Sequence, residues 1–436
     1  MNETLLASLR RRTDLAGWTL RRLVTRSTQL YSAAGRIEGE RKVAEERHAI
    51  SVVVATRGTD NSEACGTGSS TLLGDESPET AIERAVEAAR LIHNPPHGLP
   101  GKSALPELSL VDKDLAERPA ETLREAHATL EELAARNKKV RLTAAEWHAT
   151  TRSTELVNSR GQEGEQQETA LGVEWVIVTG EGEARAETFL ERRLRRMADV
   201  EIQGEFELQA EMAVDRQRAG PAPDWEGPVV LRNTALATFL DAGPLQFLGS
   251  AGNLYAKVSS WEIGKTALRR EGAGDPLTIY ANRTLPFGVR ASRFDDEGIP
   301  GQRLLIVGDN IVRGFSAAQR YAEYLDLPAT GDFGDLELPA GRSPQADLRL
   351  DPHVEITNFS WFNPDVVTGD FATEIRFGYF VEGGRRTPFR GGLLIGNFLD
   401  ALGDARWSRE TAFTGNYQGP NTIRITGLKV AGRTAG

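Results

Sequence analysis

Thiols are almost absent from this chain: Cys65 is its one cysteine. That excludes an intramolecular disulfide and a four-cysteine zinc site, and it fits a reducing compartment. Long apolar runs are also missing. No eighteen apolar residues follow one another, and the greasiest stretches, such as Val52 to Ala55 and Val176 to Val178, have strand lengths, so no membrane span is expected. Met1 to Arg12 carries Glu3 and places an arginine triplet after a short apolar stretch, the reverse of a signal peptide's order. The expected location is therefore the cytoplasm. Basic residues are outnumbered, 52 against 62 acidic ones, for a formal charge of -10. This opposes non-specific binding to a phosphate backbone, so nucleic acid is not an expected partner.

What is present points to an ordinary globular chain. Hydrophobic residues at 39%, charged residues at 26% and 44 glycines favour a turn-rich, strand-rich protein. A length of 436 residues exceeds what one core usually fills, so two domains are expected. Residues 219–227 hold two prolines, two glycines and a tryptophan and interrupt the periodicity. The boundary is placed there, giving domains at 1–218 and 228–436. The fold class read from the pattern is α+β, with a mixed amino-terminal domain and a strand-rich carboxy-terminal one.

In the first half, residues 18–26, 29–34 and 49–55 read as strands. Ser77-Pro78 opens a helix with Ile82, Ala85, Val86 and Ala89 at helical spacing, and a second helix runs over 119–136 with Asn137 as its stop. Strands follow at 154–158 and 171–177 around a turn at Ser159-Arg160-Gly161, and Gly180 to Glu183 forms another turn. In the second half, 229–231 reads as a strand, 234–240 as a helix, and Gly308-Asp309-Asn310 as a hairpin turn joining 304–307 to 311–315.

Local chemistry is sparse. His93 and His97 have a helical separation, but Pro95 and Pro96 between them forbid the helix and make a loop. His127 falls in a helical stripe and reads as partly buried packing, and His48, His148 and His353 are isolated. No Gly-x-Ser-x-Gly elbow occurs; Gly66-Thr67-Gly68-Ser69-Ser70 reads as a flexible turn and lacks the lysine of a phosphate loop. Nothing in the sequence sets a base beside Cys65, so it reads as a small packing side chain. Asp295-Asp296-Glu297-Gly298 could share acid and base work, but adjacent acids before glycine usually make a turn. Asn363-Pro364 and Thr368-Gly369-Asp370 read as two tight turns.

The order of the carboxy-terminal motifs carries more than any one of them. Asp296-Glu297-Gly298-Ile299-Pro300, Asn363-Pro364, Thr368-Gly369-Asp370-Phe371, Leu394-Ile395-Gly396-Asn397 and the closing stretch 423–432 resemble the TldD/PmbA family. Tyr255, Lys257 and Ser259, in the stretch 254–260, resemble a segment of its TldE branch, and Asn158-Ser159-x-Gly161 a turn of its first domain. The resemblance implies a heteromeric metallopeptidase whose TldD-type subunit carries a His-Glu-x-x-x-His zinc motif, the histidines holding the metal and the glutamate activating its water. The stretch Phe239 to Leu245, taken as the corresponding position, has no histidine. The expectation is a non-catalytic TldE-like subunit that binds no cofactor itself, with zinc in its TldD-like partner and unfolded peptide as substrate. For the chain in isolation a homodimer stays open as an alternative. Two alternatives stand beside it: a self-sufficient hydrolase or tailoring enzyme working through Asp295, Asp296 or Glu297, and a protein-binding modulator of DNA gyrase.

Overall fold

A computed structural model of the chain describes residues 1–182 and 185–432. Glu183, the last residue of the turn expected after Thr179, lies outside them.

The amino-terminal part is built on one antiparallel sheet. Its strands are β1 (Leu15–Ala33), β2 (Arg36–Arg57), β3 (Glu63–Leu72), β4 (Arg141–Asn158), β5 (Glu163–Thr179) and β6 (Ala186–Leu194), in the order β3-β2-β1-β4-β5-β6. The expected strands at 18–26 and 29–34 are one. Ser27 and Thr28 keep their partners Val43 and Lys42 on β2, and Thr150 and Ala149 on β4, so the ladder has no break.

One face of this sheet carries helices. Leu20 and Leu30 lie on the same side of β1 and belong to two successive cores. At the first, α1 (Glu3–Arg11) and α2 (Pro78–Arg90) press Leu5, Leu9, Ile82 and Val86 onto Ile50 and Val52. The Ser77 hydroxyl accepts the Thr80 N–H at 3.2 Å, the N-cap its position before Pro78 predicts. After the short α3 (Lys113–Glu117) comes α4 (Pro119–Arg136), whose observed bounds are those the stripe predicts. It shares the second core with α5 (Ile202–Gln217) over Trp147 and Trp175. Neither α1 nor α5 is evident in the sequence; α5 has a weak apolar stripe and begins at Glu201 in a left-handed conformation.

The stretch Gly66 to Ser70 is not a flexible turn but the middle of β3. Its glycines are needed because α2 lies directly on the strand. A Cβ on Gly66 would stand 1.8 Å from the Ala89 carbonyl oxygen, and one on Gly68 2.0 Å from that of Ala85.

From Gly220 onward the strands belong to two other sheets. A six-stranded one runs Ile311–Val312, Arg303–Gly308, Ile279–Asn282, Asp335–Glu337, Tyr417–Pro420, Thr411–Phe413. The hairpin at Asp309-Asn310 is present, both residues having positive φ as a two-residue turn requires, though its second strand is only Ile311–Val312. The other sheet has nine strands. Its path includes β7 (Gly220–Pro221) at one edge, where a proline is tolerated, and β8 (Val229–Arg232) in the middle, beside His353–Phe359 and then Asp370–Glu382. Helix α6 (Asn233–Asp241) leaves β8 directly and buries Leu236, Phe239 and Leu240 in the large core of this lobe. Among the described residues no helix is long and apolar enough to cross a membrane.

Candidate functional site

The residues singled out in the sequence fall into three separate clusters. In the first, Asp295 is the spine of its turn: Oδ1 accepts the N–H groups of Glu297, Gly298 and Ile299 at 3.0, 2.9 and 2.8 Å. Burial pushes its carboxyl up to about 6, against the pull of Arg283, 3.8 Å away. Asp296 is exposed and pairs with Arg21 of β1. Glu297 caps the helix Gln319–Leu325 by accepting the Gln319 N–H at 2.9 Å, and burial raises its carboxyl as well. Gly298 has a φ of +99°, and Pro300 bridges back to Phe294. The three carboxylates thus face three different elements.

The second cluster ties a turn to a helix cap. The Asn397 amide donates to the Thr368 carbonyl and to Asp370, both at 2.8 Å, while its oxygen accepts the Leu399 and Asp400 N–H groups. Phe398 N–H donates to the Gly369 carbonyl at 2.7 Å. Asp365, not singled out in the sequence, organises this turn by accepting from Val367 and Thr368, and Asn363 is exposed.

The third is aromatic. Tyr255 lies 5.1 Å from Tyr324 and 5.9 Å from Tyr321 between ring centres. Lys257 is exposed with a φ of +58°, and the Ser259 hydroxyl donates to the Leu248 carbonyl. Beside this cluster the fold brings a histidine to Cys65 that the sequence does not announce. Its sulfur is 3.1 Å from Nδ1 of His97, brought there by the bridge between Cys65 and Asn94. Burial raises the thiol and lowers the imidazole, so the pair is neutral and not an activated nucleophile. The segment from His93 to His97 is a loop, as its prolines dictate. His127 is not partly but fully buried, at 1% exposure.

None of those residues lines the cavity of about 720 Å³ that opens between the two lobes. Its walls come from β6 and α5 on one side and from β8, α6 and the strands His353–Phe359 and Asp370–Glu382 on the other. Seven arginines line it against three carboxylates. Glu355, 2% exposed, stands 3.2 Å from Arg386, 3.3 Å from Arg349 and 3.7 Å from Arg232. Burial lowers Arg232, Glu355 pulls it back, and Arg349 and Arg386 crowd it. Arg216 is lowered by burial and then by Arg376. These residues are scattered over several elements between 192 and 386, so no local motif announces them.

The stretch Phe239 to Leu245, taken as the zinc motif's position, reaches this cavity with Asp241 and Ala242. Phe239, Leu240 and Leu245 are core, with Phe239 stacked on Phe398 at 4.7 Å. Its one possible ligand, Asp241, pairs with Arg290 at 2.5 Å, and a lone carboxylate does not make a zinc site. Among the described residues no three His, Cys, Asp or Glu side chains converge as ligands, and zinc does not fit this site.

Residues 226–432 match the model of the PmbA/TldA metallopeptidase C-terminal domain. A metalloprotease TldD homolog of Haemophilus influenzae is 26% identical over 35% of this chain and 35% of its own. A Methanocaldococcus jannaschii protein is 24% identical over 62% of this chain, which spans 64% of that relative's length. In fold the likeness is complete. TldE from Thermococcus kodakarensis matches with a TM-score of 0.83 at 18% identity, covering 98% of this chain and 100% of that one. A Thermotoga maritima protein described as a modulator of a DNA gyrase matches at 0.82 and 19%, covering 98% of each.

Proposed function

The chain belongs to the PmbA/TldD family through its residues 226–432 and has the fold of TldE along its whole length, and from that premise we propose that it is a non-catalytic, TldE-like subunit. It pairs with a zinc-bearing TldD-like subunit, and the two act as a cytoplasmic metallopeptidase on unfolded peptides. The observation that carries this reading is the chemistry of one stretch. Phe239 to Leu245, taken as the zinc motif's position and reaching the cavity at Asp241 and Ala242, has no histidine.

Arg290 supports the reading beyond the loss of a ligand. It pairs with Asp241 at 2.5 Å, so the stretch's one carboxylate already faces a fixed positive charge. Acid–base chemistry through Asp295, Asp296 and Glu297 finds no support, because each carboxylate is engaged by a different element. The −10 net charge, set beside a cavity lined with arginines, gives a chain that is acidic outside and basic within.

The test is co-expression with a TldD-like subunit, purification through a tag on this chain, and metal analysis by mass spectrometry of the separated chains. Zinc in the partner alone, with peptidase activity only in the mixture, is the expected result. Stoichiometric zinc and activity in this chain by itself would defeat the proposal.

A further inference from the structure

We propose that the cavity between the lobes holds a carboxylate of an extended peptide through Arg216 of α5 and Arg376 of the strand Asp370–Glu382. This rests on the reading above that the chain handles peptides, and it adds a charge preference that the reading does not contain.

The neighbouring arginines are accounted for. Arg192 pairs with Glu205, Arg193 with Glu191 at 3.1 Å and Arg290 with Asp241 at 2.5 Å, while Arg232 and Arg386 share Glu355. Arg216 and Arg376 differ from them. Among the described residues neither has a carboxylate within ion-pair distance, and they approach the same cavity from opposite lobes. Arg216 lies over the ring of Phe377, 5.7 Å from its centre. Burial lowers it first and Arg376 second, while Glu187, beyond ion-pair distance, raises it. Two half-buried guanidinium groups facing one space are relieved by an anion between them, and a planar carboxylate matches the guanidinium fork.

The same cavity points to a peptide as the carrier of that anion. Gln209, 5% exposed, and Asn358 both line it, and the side-chain oxygen of each is buried with no donor. Backbone N–H groups of a peptide supply such donors, whereas a phosphodiester chain offers none. The chain's net charge of -10 further opposes a polyanion.

The experiment uses the full chain and fluorescence anisotropy with four labelled decapeptides of one Gly-Ser-Ala sequence. One has a free terminal carboxylate, one is amidated, and two amidated forms carry three internal Glu or three Gln. Tighter binding of the free acid than of its amide, on the order of tenfold, assigns the terminal carboxylate. The same gain for Glu over Gln assigns a side chain, and either result supports the proposal. The variant R216Q/R376Q, checked for folding by thermal denaturation, removes the gain and leaves the neutral peptides unchanged, while R136Q on α4 changes nothing. Equal binding of all four peptides overturns the proposal, as does no binding at all. Tighter binding of a ten-nucleotide thymidine strand, lost in R216Q/R376Q, overturns it in favour of nucleic acid. Co-purification with the zinc subunit is independent of these outcomes, so the subunit reading stands or falls separately.

Discussion

The phenol of Tyr379 donates to Asp215 at 2.9 Å, joining the strand Asp370–Glu382 to α5 across the seam between the lobes. Both groups are buried, and Asp215 also pairs with Arg218, whose side chain is exposed. Around the bond, Met212 and Phe377 close a small apolar cluster, and the Arg386 guanidinium lies 3.4 Å above the tyrosine ring. The substitution Y379F keeps the ring and removes the donor. It is expected to lower stability by about 2 kcal/mol, the cost of leaving a buried charged acceptor short of a hydrogen bond. Urea denaturation at pH 7 measures this, and an unchanged midpoint would show that the bond contributes nothing.

Arg195 is the second tie between the lobes. Its buried guanidinium donates to the carbonyls of Gly288, Val289 and Ala291 and pairs with Glu168 at 3.0 Å. Truncation to alanine takes this donor from four carbonyls, those of Thr169, Gly288, Val289 and Ala291, and leaves Glu168 to Arg152 and Gln166. R195A is expected to lose about 3 kcal/mol, the low end of the range for breaking a buried ion pair, because Glu168 keeps one cation. Cleavage near 288–291 under limited proteolysis should rise in parallel. Native-like resistance there would count against Arg195 as a clamp.

Asp335 sets a pH dependence of known sign. It is fully buried, and burial pushes its carboxyl up to about 7 although the Arg290 N–H donates to it. A raised value in the folded state means that folding favours the protonated form. Its stabilising share is whole below the unfolded value near 4, is lost as pH rises, and is gone by about pH 7. D335N carries no titrating proton. The stability difference, wild type minus D335N, is therefore expected to fall between pH 4.5 and 7.5 in parallel denaturation series. A difference that rises with pH would reverse the assignment.

Much of the fold was legible because local rules met no opposition. Pro119 to Arg136 and Ser77-Pro78 followed from stripe and cap, and the Asp309-Asn310 hairpin from turn chemistry. Gly66 and Gly68 misled, since glycine is read locally as a turn, whereas here it answers to a helix pressed on the strand. The candidate cavity was not legible at all. Gln209, Arg216, Arg232, Glu355 and Arg376 come together only when two lobes close, and no spacing along the chain records that. The family motifs stood out for a different reason: Gly298, Gly369 and Asn397 sit in turns held by backbone hydrogen bonds, which demand particular residues at fixed short offsets.

Cys65 offers a last test, of burial rather than of catalysis. The thiol is covered by the loop through Pro95 and His97, which is held down from the other lobe: the Tyr324 hydroxyl donates to the Pro95 carbonyl at 2.5 Å, and Glu323 accepts the Gly98 N–H at 2.9 Å. Burial raises the thiol above its ordinary value, so at pH 7.5 almost none is thiolate, and the neighbouring imidazole, itself lowered, is a poor partner for one. Alkylation by iodoacetamide should be at least about tenfold slower in the native chain than in urea. Y324F loosens the cover from the far lobe and is expected to speed labelling without lowering the stability measured in urea by more than about 1 kcal/mol. Labelling as fast in the native protein as in urea would mean that the loop does not close over the sulfur, and that His97 and Cys65 are neighbours without being a sealed pair.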